Sequence, residues 1–346
     1  MMKLNEELIR STFDMMVKYR PALNKYLIVD EDEDEDDEVD YRILGDLIIK
    51  NFPWPIGVEL RRLFSGSMRQ LDRHRLDQIF KTIERIMQFI SFTMLAQVWD
   101  DVESKKIEAP KSLTNDFEKR FSVLSMGTYS WIIRMLGKTY KEQGQEWFMT
   151  EMGENFDKKF FESLDFWIPE RNEIGHYQIN LTSEDIEKRC VEYEKKLAVI
   201  LQKMAFVVKY KLISIRDIHV EKDRIQKDPQ FLHIVNLLNS GDSDLKSKEM
   251  MNNLYTDSKA VLLLKSLKNI DVFLNLSPLI IDTNTEVLDT TDKFDIKKDI
   301  FMYTKYRSGH LMYIGTEVTE KCDLRSLSNY SILVNEYESM VKTIVS

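Results

Sequence analysis

An arginine, an asparagine and a histidine stand close together in Arg171-Asn172-Glu173-Ile174-Gly175-His176. A guanidinium can hold the non-bridging oxygens of a phosphodiester bidentately and offset the charge that gathers on them. An imidazole within a turn and a half can take the proton of an attacking hydroxyl or return one to the leaving oxygen. Asn172, a neutral side amide, can orient either group by hydrogen bonding. Attack by a ribose 2′-hydroxyl needs no metal, so neither a metal nor an organic cofactor is expected. The two cysteines, Cys190 and Cys322, lie far apart and outside any CxxC, and no GxGxxG, Walker A, HExxH or GxSxG pattern occurs.

Other candidates carry less. Arg69-Gln70-Leu71-Asp72-Arg73-His74 repeats the arginine-to-histidine spacing, but without an asparagine after the arginine, and reads as the charged face of a long helix. Trp54 with Arg61 and Arg62 could stack on a base and hold a phosphate; an aromatic between two prolines more often packs into a turn. Arg307 and His310 belong to an expected hairpin turn and face solvent. The 17 methionines read as helical core filling. Glu170 and Glu173 flank the main motif, and either raise the pKa of His176 or form local ion pairs.

The six residues from Arg171 to His176 resemble the RN-x3-H signature of the HEPN superfamily, the higher eukaryote and prokaryote nucleotide-binding domain. The resemblance implies a helical bundle that pairs two-fold, so that the arginine and histidine of both protomers line one cleft. It also implies a metal-independent endoribonuclease that leaves a 2′,3′-cyclic phosphate, of the kind found in toxin–antitoxin, anti-phage and CRISPR-linked defence. Arg171 would then bind phosphate, His176 would act as base or acid, and Asn172 would support them. RNA would be the substrate, a second copy the dimer partner, and an antitoxin or defence-complex protein a further partner. The alternative is a non-catalytic HEPN-like nucleotide- or RNA-binding or scaffold protein in a defence or signalling complex, with His176 a structural residue if the motif is fortuitous.

The elements that must position these groups read mostly as helix. Apolar residues recur every three or four positions over 3–18 and from Ser67 to about Ser104. Shorter patterns cover Tyr41–Lys50, Thr128–Gln143 and Asn155–Phe166, and the prolines in Asn51–Gly57 break the chain between helices. Thr182 followed by Asp185 opens a second long helix, expected to reach Ile213. Beyond residue 216 short β-type runs appear at 261–264, 272–276 and 300–304, with a hairpin at 307–310 and a final helix over Ile332–Ile344. The expected fold is mainly α: a HEPN-type bundle with a small C-terminal α+β domain. The expected domains are N-terminal helices with an acidic loop (1–66), the bundle (67–216) and the accessory domain (217–346).

Composition sets the bounds. With 346 residues, 43% of them hydrophobic, the chain can build real cores. Its low glycine and proline counts, 11 and 7, disfavour sandwiches and low-complexity chains. No stretch suits a membrane span, and acids occupy the place of a signal-peptide core, so a soluble cytoplasmic protein with no membrane partner is expected. The net charge of −9 is accounted for by the nine acids of Asp30–Glu38, expected to be a solvated loop. The remainder is near neutral, so nucleic acid must be met by a local basic patch.

Overall fold

The described residues of this computed structural model are 5–27, 39–110, 113, 116–176, 181–238, 246–285, 298–318 and 321–345; the acidic run Asp30–Glu38 lies outside them. The helices are α1 (Glu6–Tyr19), α2 (Tyr41–Asn51), α3 (Trp54–Phe64), α4 (Arg73–Glu103), α5 (Phe117–Phe121), α6 (Met126–Glu142), α7 (Met152–Asn155), α8 (Lys158–His176), α9 (Ser183–Met204) and α10 (Tyr330–Val345). The strands are β1 (Lys211–Glu221), β2 (Gln230–Leu237), β3 (Lys246–Asn252), β4 (Val261–Ser266), β5 (Asn269–Asn275), β6 (Ile280–Asp282), β7 (Ile300–Arg307), β8 (His310–Gly315) and β9 (Lys321–Asp323). With 55% helix and 20% strand the class is mixed α+β, which overturns the expected mainly α, HEPN-type bundle. A C-terminal α+β portion is present, but the chain already turns extended at Lys211, where helix was expected to run on. No helix among the described residues is long and apolar enough to cross a membrane.

Two compact units form, one from Met1–Ile86 and Met149–Tyr210, the other from Met87–Phe148, Lys211–Leu238 and Asp244–Ser346. This grouping runs differently from the three consecutive segments expected, because it separates the two halves of α4.

In the first unit, α1 buries Leu8, Ile9, Phe13 and Met16 on one stripe and packs on α2 and α9. The prolines after α2 do end that helix, but they also start the next. Pro53 is the N-cap of α3 and Pro55 lies in its first turn, where a missing N–H costs no helical bond. Trp54 is buried there, as a packed aromatic would be. At α9, Thr182 and Asp185 satisfy each other's backbone N–H, completing the capping box that their spacing indicated. Arg75 of α4 is fully buried: it bonds Glu194 of α9 and donates to Asn5 Oδ1 at 2.8 Å and to Met68 O at 2.7 Å. A buried guanidinium is tolerable only with such partners.

The second unit holds both sheets. One has the strand order β3-β2-β1-β4-β5, every hydrogen-bonded pair antiparallel. β4 thus returns to lie beside β1, the Greek-key arrangement. The amide of Asn252 on β3 bonds Asp271 on β5, so the sheet curls toward itself as a partly open barrel. Its interior is one apolar cluster drawn from all five strands, including Ile213, Ile215, Val235, Met250, Leu262, Leu264 and Ile270. A bulge between Ile215 and Asp217 inserts Arg216 as an extra residue and shifts β1 against β2. His233 is buried in β2, with Nε2 accepting from Thr256 N at 3.2 Å and Nδ1 facing Phe231 O at 3.2 Å. That assigns a neutral imidazole, and burial lowers its pKa.

The other sheet runs β6-β7-β8-β9. Its β7–β8 turn is the expected hairpin: Ser308 and Gly309 have φ of 53° and 77°, both left-handed, as a two-residue type I′ turn requires. Arg307 and His310 are the last paired residues of the two strands.

On α10, Glu336 has a buried carboxylate oxygen without a hydrogen-bond partner. Burial, then the charge of Asp257, pushes its pKa up to about 7. The raised pKa means that stability present below the ordinary carboxylate range is lost as pH rises through about 7. Glu336→Gln is therefore expected to be about 1–2 kcal/mol more stable than the parent near pH 8 and equal to it near pH 4. Urea unfolding at the two pH values checks this; an equal difference at both would refute it.

Candidate phosphate-handling site

Arg171, Asn172 and His176 all lie on the last turns of α8, so one element carries the whole motif. The helix continues through Pro169, so that the pattern read over Asn155–Phe166 and the motif belong to one element. Its anchor is Trp167, fully buried and edge-on to Phe80, Phe166 and Tyr193. Five residues of helix separate Arg171 from His176 by about 140° around the axis and about 7.5 Å along it. His176 is the final residue of α8, and its side chain lies outside the described residues.

Arg171 is half exposed, its side chain 50% accessible, and Nη2 meets Glu84 Oε2 of α4 at 3.4 Å. Asn172 is exposed beside it. The flanking acids face α9. Glu173 accepts from Arg189 Nη2 at 2.6 Å, and Glu170 accepts from Arg189 Nη1 at 3.5 Å and from the Tyr193 hydroxyl. Burial, then the bond to Glu170, raises the Tyr193 pKa, while the bond to Glu173 raises that of Arg189. Both carboxylates are thus held in ion pairs, with Arg189 as their partner, 16 and 19 positions away in the chain.

Glu84 and Arg189 are the site residues that the motif did not reveal. They reach it through helix packing, and no local spacing marks them. The other candidates separate. Arg69 precedes α4, His74 stands exposed in its first turn, and the two share no helix face. Arg62 pairs with buried Glu59 at 3.1 Å, a structural contact. Burial drives the Cys190 thiol up to about 11, which makes it inert as a nucleophile. Among the described residues no cluster of His, Cys, Asp and Glu could hold a metal ion. Compared with family models, curated proteins and solved structures, the chain has no match.

Proposed function

We propose that the chain is a metal-independent endoribonuclease acting as a homodimer in the cytoplasm, in a toxin or anti-phage role. The ribose 2′-oxygen attacks phosphorus, the bond to the 5′-oxygen breaks, and the products are a 2′,3′-cyclic phosphate and a 5′-hydroxyl. Arg171 holds the phosphate oxygens, His176 accepts or returns the proton, and Asn172 orients them. A second copy supplies a second pair, so that base and acid roles fall to different histidines.

The observation that supports this reading best is the state of Arg171. Its guanidinium is half exposed, and Arg189 has drawn off both carboxylates of its own turn. Among the described residues, Glu84 is the acid that a phosphate would displace, and an exposed pair of this kind holds weakly. Glu84→Gln is accordingly expected to tighten binding of single-stranded RNA by about two- to fivefold at low salt. Anisotropy titration measures it, and weaker binding would count against a phosphate role for Arg171.

The reading is tested by incubating the purified protein with mixed RNA and a chelator, beside His176→Ala and Arg171→Ala. Cleavage by the parent alone is the expected result. Cleavage by both variants, or none by an intact parent dimer, rejects the nuclease. Uncut RNA that the parent retains and Arg171→Ala releases marks the binding-only alternative.

A further inference from the structure

Between β3 and β4 the chain runs in an open loop with a single buried residue. Asn253, Leu254, Tyr255, Asp257 and Ser258 are exposed, and Thr256 alone of residues 253–258 is buried. Its anchor is a titratable ring. The Thr256 N–H donates to Nε2 of His233 at 3.2 Å, and His233 is itself wholly buried in β2. On one side of Thr256 the Tyr255 ring rests on Phe231, with 5.5 Å between centroids. On the other, Asn275 Nδ2 donates to Asp257 at 2.8 Å.

Thr256 also carries a polar atom that the fold leaves idle: its Oγ1 is buried and has no hydrogen-bond partner. Such an orphan is costly and calls for an explanation, and the ring supplies one. Neutral His233 offers Nε2 as an acceptor, because Nδ1–H is directed to the Phe231 carbonyl at 3.2 Å. In the imidazolium both nitrogens carry hydrogen. Nε2–H then meets the Thr256 N–H, donor against donor. The idle hydroxyl oxygen of the same residue is the acceptor that the new proton needs.

The surroundings set the direction of the response. β1 places Ile218 opposite His233 and β3 places Met250 there, neither of them charged. Burial, the largest influence, holds the pKa of the ring below the ordinary histidine value. The carbonyls of Phe231 and Met250 and the charge of Asp271 on β5 oppose it. A lowered pKa means that the hold on Thr256 is complete above about 6.5 and is lost as the pH falls through the folded value.

We propose that His233 and Thr256 form an acid-operated latch on the β3–β4 loop. With the ring neutral, the Thr256 N–H is held and residues 253–258 stay docked. With the ring protonated, the N–H is repelled, the hydroxyl takes its place as acceptor, and the loop shifts off the Phe231 ring. The latch is separate from Arg171 and His176 and does not depend on the ribonuclease reading.

The test follows backbone amide exchange in the full chain from about pH 8 to about pH 4.5, corrected for intrinsic rates. Protection of the Thr256 amide is expected to fall about tenfold for each pH unit below the titration of the ring, as uptake of one proton requires. The Leu238 amide, bonded to Leu212 O at 3.0 Å, is expected to keep its protection. His233→Gln retains an acceptor oxygen and cannot take up a proton, so its Thr256 protection is expected to be equal at every pH. Thr256→Val keeps the N–H and removes the idle oxygen. Its ring, followed by imidazole proton resonances, is expected to titrate about one pH unit lower than the parent's. Thr256 protection that ignores pH while the ring titrates overturns the latch. So does the parent's pH dependence in His233→Gln, loss of Leu238 protection together with Thr256, or an unmoved titration in Thr256→Val. Should His233→Gln not fold, the parent and Thr256→Val decide.

Discussion

Arg171→Ala is expected to slow RNA cleavage by about 100- to 1,000-fold, the usual effect of removing one donor from a developing oxyanion. Its stability should move by less than about 1 kcal/mol, because the pair with Glu84 is half exposed and screened by solvent. The two readouts together separate chemistry from folding: a large rate loss with an unchanged melt cannot come from misfolding. Arg171→Lys keeps the charge but loses the planar fork, so an intermediate loss of about tenfold is expected. Single-turnover cleavage with enzyme in excess measures the chemical step. A rate equal to the parent's in Arg171→Ala would remove the arginine from the mechanism.

The second large effect concerns stability. Asp299 is 3% exposed, and its two oxygens accept four hydrogen bonds. Ile300 N donates to Oδ1 at 2.7 Å and Thr316 Oγ1 at 2.8 Å, while Glu317 N and Val318 N donate to Oδ2 at 2.9 Å each. Asp299→Ala strands these donors where water cannot replace the carboxylate, and a loss of about 3 kcal/mol or more is expected. Asp299→Asn should fare little better, since its NH2 would face backbone N–H groups that need an acceptor. Gly315→Ala attacks the same place from the other side. A Cβ there would stand 2.4 Å from Asp299 Oδ2 and 2.6 Å from Val318 O, and a backbone oxygen has little room to retreat. About 2–3 kcal/mol is expected, and the double variant should lose less than the sum because both changes disrupt one cradle. Urea midpoints at neutral pH decide the matter; a change below about 1 kcal/mol in Asp299→Ala would show that the cradle is dispensable.

Helical periodicity made α1, α6 and α10 legible, because each buries one continuous stripe; α4 was legible from its length without a breaker, although every residue from Ile86 to Val98 is buried. The capping box at Thr182 and the left-handed pair Ser308-Gly309 were legible for local reasons, since each motif contains all its partners. The first three strands were not. In β1 the apolar residues Ile213, Ile215, Ile218 and Val220 alternate, but the bulge changes their parity midway and erases the period of two. The end of α9 was hidden as well: no glycine or proline marks the passage from Met204 through Ala205–Lys209 into β1. Pro53 and Pro55 looked like breakers because their spacing does not say on which side of a helix start they fall. At the candidate site, the motif residues were visible as a string. Arg171's partner Glu84 lies 87 positions away, and only the packing of α4 on α8 brings it there.

The extra residue Arg216 has a consequence for how this chain can vary. The insertion is absorbed where it occurs, because the partners on β2 run on without a gap from Val235 to Ile234. A one-codon deletion of Arg216 would therefore join Ile215 to Asp217 in a regular ladder and leave Ile218 opposite His233 and His219 opposite Leu232, each on its present face. At this point the strand can lose a letter without changing what it displays beyond it, a tolerance that its regularly paired positions do not share.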